Sequence, residues 1–167
     1  MLDLYPLMPF LVLCVGALLA MLLSSVVADA RKVGYFSLVT LAVSAATTIS
    51  YWTSHPAGSV MLFGGAVTID SFSLFFYLLL LMISAVSVLM AMPYLERDHA
   101  HHGEFYTLML FALAGMFVMV SSNDLITLFL GFETMSLAIY ALVGFRRHDR
   151  KSNEACLLYT SPSPRDS

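Results

Sequence analysis

Five long apolar runs dominate this chain, and together they contain a single charged side chain. They extend from about Leu7 to Ala28, Val33 to Trp52, Phe72 to Met92, Tyr106 to Ser121 and Leu125 to Phe145. A helix that crosses a bilayer needs about 17–25 predominantly apolar residues, so four runs are long enough and the fourth is slightly short. The runs are continuously apolar rather than alternating, which favours spanning helices over a closed barrel. Only 11% of the residues are charged, against about 25% in soluble domains. The expected fold class is an all-α integral membrane protein with five transmembrane helices.

The first run is expected to remain as a spanning helix. No basic segment precedes it, it is longer than a signal-peptide core, and no small-residue cleavage site follows. Orientation follows from the excess of Lys and Arg in cytoplasmic loops. Arg31 and Lys32 lie between the first two runs, Arg97 after the third, and Arg146, Arg147, Arg150 and Lys151 after the fifth. All seven fall on one side if the spans alternate, which puts the N-terminus outside. The basic stretch after the fifth run reads as a topological anchor at anionic headgroups.

Helix ends have local signals. Asp70 is positioned to cap the third helix, and Ser122, Asn123 or Asp124 the fifth. Pro93 is expected to help terminate the third. Three polar residues between the last two runs imply a tight helical hairpin. Cys14 reads as a buried free thiol and Cys156 as part of a polar tail, with no disulfide.

Glu133 is the one charge within the runs. A carboxylate at that depth costs roughly 2.5–3.5 kcal/mol on insertion scales, so such residues face a bundle interior or a water path. Its helical face includes Ser136 and Tyr140, whose hydroxyls are candidate supporting groups. Gly131 and Gly144 would permit close approach of neighbouring helices. Burial raises a carboxyl pKa and a nearby cation lowers it, so a site balanced between them can take up and release protons. The bland alternative is a structural glutamate bridging two helices. No Lys, Arg or His lies inside any of the five runs, so either Glu133 works alone through water or its cation lies beyond Ala155.

Other polar clusters carry less. His99, His101 and His102 stand near Glu96, Asp98 and Glu104, but without a standard metal spacing; a solvated loop is the better reading, and no metal site is expected. His55 reads as interfacial and His148 as solvated. No phosphate loop, dinucleotide fingerprint or nucleophile elbow appears, and no nucleic-acid partner is expected.

The stretch from Ser121 to Ala155, SSNDLITLFLGFETMSLAIYALVGFRRHDRKSNEA, resembles the fifth-helix region of the subunit N family of NADH-quinone oxidoreductase, respiratory complex I. The family pattern LTLFLGxExMSLxxYxLVxFRR is matched from Ile126 to Arg147, with Ile126 in place of the leucine. IDSFSLFF, Ile69 to Phe76, adds to the resemblance, which covers Met1 to Ala155 and is weaker in the first two helices. Met135, Ser136 and Leu137 favour subunit N over its L and M paralogues and over multisubunit cation/proton antiporters.

The resemblance implies a membrane-arm subunit that couples electron transfer from NADH to quinone to proton translocation. It implies an antiporter-like fold of about fourteen helices, of which 1–155 would be the N-terminal part. Glu133 would pair with a lysine on a later helix. NADH, FMN, iron–sulfur clusters and quinone would belong to other subunits, with no cofactor in this chain. Partners would be other membrane-arm subunits, the lipid bilayer and protons, in a bacterial inner (plasma) membrane. The rival readings are a subunit of a cation/proton antiporter and a structural scaffold. Residues 156–167, CLLYTSPSPRDS, resemble a translated adapter sequence from DNA library preparation. The expectation is therefore a non-native tail on a truncated chain that is inactive alone.

Overall fold

The computed structural model describes residues 5–27, 29–55, 58–97 and 103–144. Five helices follow in order: α1 (Met8–Val26), α2 (Ala30–Ser54), α3 (Ser71–Arg97), α4 (Gly103–Ser121) and α5 (Leu125–Val143). A short hairpin, β1 (Val60–Leu62) and β2 (Val67–Ile69), lies between α2 and α3. All five helices are long and apolar enough to cross a membrane. The chain is a multi-pass, all-α membrane protein, as its apolar runs require.

Each helix starts for a reason visible in the residues. Pro9 stands in the first turn of α1, where a missing N–H goes unneeded. Asp29 caps α2 by accepting from the Arg31 N–H at 3.1 Å. Asp70 caps α3, accepting from the Ser73 N–H at 2.9 Å and the Ser73 hydroxyl at 2.7 Å. The Asp70 N–H in turn donates to the Ser73 oxygen at 3.4 Å, a reciprocal capping arrangement. Asp124, rather than Ser122 or Asn123, caps α5 by accepting from the Thr127 N–H at 2.6 Å.

Pro93 does not end α3, contrary to expectation. It lies inside the helix, which continues to Arg97. Its missing N–H leaves the carbonyl of Leu89 without the usual partner, on a side where Leu89 and Pro93 are both exposed. Spanning helices tolerate such an interruption when the freed group is met locally. α4 also starts three residues before the apolar run that announced it, at Gly103.

The helices alternate in direction. At one end, Tyr5 before α1 meets Tyr51 and His55 at the end of α2. That end also holds the hairpin, which touches the α4–α5 turn through a bridge between Val67 and Ser122. At the other end, Gly103 opens α4 directly against Ser24 of α1 and Val33 of α2. Arg31, Lys32 and Arg97 therefore gather at that second end, as the basic-residue pattern demands.

The core lies where α4 is surrounded. Leu13, Ala17 and Ala20 of α1, Val33 and Leu41 of α2, and Tyr106, Leu110, Leu113 and Phe117 of α4 are all buried. Tyr77 of α3 stacks on Phe117 with centroids 3.9 Å apart and planes 3° from parallel. Helices approach closely where side chains are small. Gly16 leaves room for Thr40, and the Ser44 hydroxyl donates across to the Pro9 carbonyl at 2.9 Å. Cys14 is a free thiol and only partly buried.

Candidate functional site

α5 packs chiefly on α4. The side of α5 turned to α4 is its small-residue stripe, with Gly131 and Ala138 buried. At 100° per residue, Glu133 stands roughly 200° around the helix from Gly131. Its side chain is exposed, flanked by the exposed side chains of Phe129, Leu130 and Leu137. The expectation of an enclosed carboxylate is not met among the described residues, because α5 has α4 on one side and an open face on the other.

Glu133 is about 12 Å along the axis from Leu125 and about 15 Å from Val143, near the middle of α5. Ser136 is buried and Tyr140 half-buried. Their spacing of three and seven residues from Glu133 sets all three along one side of the helix. The structure thus aligns the candidate residues on one stripe. The basic side chains at the bundle's far end, Arg31 and Lys32, belong to the first turn of α2.

The outer end of α5 is held by a clasp that the sequence reading missed. The Asn123 side-chain amide donates to the Gly65 carbonyl at 2.9 Å, and the Asn123 N–H donates to the Ala66 carbonyl at 2.9 Å. Phe63, Gly64 and Gly65 turn the hairpin with φ of 53°, 68° and 95°. Two consecutive glycines suit these left-handed values, and they were the available signal. Asn123, one of the three candidate caps, does something else: it ties the hairpin to the α4–α5 turn.

Both aspartate caps at this end are held below the usual carboxylate range. For Asp70 the largest cause is the Ser73 N–H; for Asp124 it is the Thr127 side chain, followed by the Thr127 N–H. Among the described residues no group of three His, Cys, Asp or Glu side chains is placed to hold a metal ion. His55 stacks on Tyr51 at 4.9 Å. His99, His101, His102, His148, the basic stretch 146–151 and the tail 156–167 lie outside the described residues.

Known proteins resemble this chain. The family model described as NADH:quinone oxidoreductase/Mrp antiporter, TM, matches residues 122–162. NADH-quinone oxidoreductase subunit N 2 of Solibacter usitatus is 48% identical over 97 residues, covering 58% of this chain and 20% of that protein. Subunit N of Trichlorobacter lovleyi is 34% identical over 160 residues, covering 94% of this chain and 32% of that protein. Among solved structures, respiratory complex I from Thermus thermophilus with bound aureothin contains a chain that superposes with a TM-score of 0.73 at 26% identity. That match covers 91% of this chain and 32% of the other. The chain spans a fifth to a third of the length of the curated relatives it matches. By these likenesses the chain is similar, along most of its length, to part of NADH-quinone oxidoreductase subunit N.

Proposed function

We propose that this chain is part of a proton-translocating membrane-arm subunit of NADH-quinone oxidoreductase in a bacterial inner membrane. Glu133 is its proton-handling carboxylate, and Ser136 and Tyr140 support it. The observation that carries this reading is the position of Glu133 at mid-depth on the open face of α5. An ionised carboxylate facing lipid there is unfavourable by several kcal/mol. Cover from protein or water removes that cost, and the open face leaves room for it. In the complete subunit the cover comes from later helices, and one of them brings the lysine that Glu133 pairs with.

The chemistry is a shift of one protonation equilibrium. That equilibrium is the one between Glu133 and the lysine brought by a later helix. NADH oxidation and quinone reduction take place in other subunits and reach this site as a conformational or electrostatic signal. Neighbouring membrane-arm subunits are the partners.

The test is Glu133→Gln in the complete subunit. The complex should assemble and oxidise NADH while proton pumping is impaired. Failure to assemble would favour a scaffold role. A gene neighbourhood of multisubunit antiporter components, without the redox subunits, would favour the antiporter reading.

A further inference from the structure

An apolar groove of about 360 Å³ runs between α1 and α2 on the outside of the bundle. Leu11, Val15 and Leu19 form one wall, and Phe36, Val39 and Val43 the other. Gly16 forms part of the floor, against Thr40. The Thr40 hydroxyl donates to the Phe36 carbonyl at 3.0 Å, so it offers no free donor to a polar ligand. The lining therefore fits a hydrocarbon.

The α2 wall repeats at helical spacing, and the repeat ends on a cation. Positions 43, 39, 36 and 32 share one face of α2, and position 32 is Lys32, which is exposed. Asp29, three residues before it, already accepts the Arg31 N–H as the helix cap. From Val43 to Lys32 the wall measures about 16 Å, close to the roughly 15 Å of one leaflet's hydrocarbon. One wall thus carries an apolar track of leaflet length with a positive charge at headgroup level.

We propose that this groove is a binding site for an anionic phospholipid of the cytoplasmic leaflet. One acyl chain lies between α1 and α2, and the phosphate pairs with Lys32. The proposal rests on the α1–α2 groove and stands whether or not Glu133 handles protons.

A photo-crosslinking amino acid at exposed Val39 tests it in the assembled complex, reconstituted in nanodiscs of equimolar phosphatidylglycerol and phosphatidylcholine. Mass spectrometry of the adducts identifies the occupant. Phosphatidylglycerol adducts should exceed phosphatidylcholine adducts about fivefold, the effect of one basic residue at an anionic surface. Lys32→Gln should abolish that preference and Lys32→Arg should keep it. Equal labelling of the two lipids, a preference that survives Lys32→Gln, or an adduct with a neighbouring polypeptide would each overturn the proposal.

Discussion

Gly115 of α4 and Gly131 of α5 face each other where the two helices cross. A methyl group at Gly115 would lie 2.7 Å from the Met135 nitrogen and 2.8 Å from the Gly131 carbonyl; one at Gly131 would lie 2.9 Å from the Gly115 carbonyl. These are backbone atoms, so no side chain can swing away to make room. The α4–α5 hairpin is therefore set by backbone contact, which fixes the rotation of α5 and turns Glu133 away from α4.

Gly131→Leu should accordingly push α5 off α4. Overpacking of this kind costs roughly 1–3 kcal/mol or more. The apparent melting temperature of the detergent-solubilised protein should fall. Leu137→Ala, on the exposed side of the same helix, should leave it nearly unchanged.

Phe117 is fully buried and stacked on Tyr77. Phe117→Ala removes the ring and leaves a cavity at the α3–α4 contact, at a cost on the order of 3 kcal/mol. Phe117→Leu should recover a large part of the loss, and chemical denaturation of the two variants side by side would show it.

Asn123 ties a hairpin of three-residue strands to the α4–α5 turn, beside the bridge between Val67 and Ser122. Asn123→Ala should speed hydrogen exchange across residues 60–69, while amides in the centre of α4 keep their protection. Unchanged exchange in the hairpin would show that the clasp contributes nothing.

The caps make stability depend on pH in a definite direction. Asp70 and Asp124 both have carboxyl pKa values lowered in the folded state by hydrogen-bond donors. Their stabilisation is fully present above the ordinary aspartate pKa of about 4 and is lost as pH falls through the lower folded values. The melting temperature should drop on acidification below about pH 4. A variant with Asp70→Asn and Asp124→Asn should start lower and show a shallower drop over that range.

The spanning helices were legible because lipid leaves few alternatives to a continuous apolar run. The caps at Asp70 and Asp124 were legible because their side-chain chemistry is local. Pro93 misled, since a bilayer-spanning helix can carry a proline that would end a helix in water. The hairpin was missed because its three-residue strands are held by tertiary contacts, the burial of Leu62 and Ile69 and the clasp to Asn123 more than fifty residues away. Glu133 was recognisable as a costly charge, and its stripe with Ser136 and Tyr140 followed from spacing. Which way the stripe points was not readable, because that is decided by Gly115 and Gly131 meeting across two helices.

The most direct test of the account is proton translocation per NADH oxidised, measured in inverted membrane vesicles carrying Glu133→Gln in the complete subunit. The account predicts an assembled complex that oxidises NADH and moves fewer protons per turnover, with Glu133→Asp closer to the native protein. Pumping by Glu133→Gln at the native ratio and rate would contradict it.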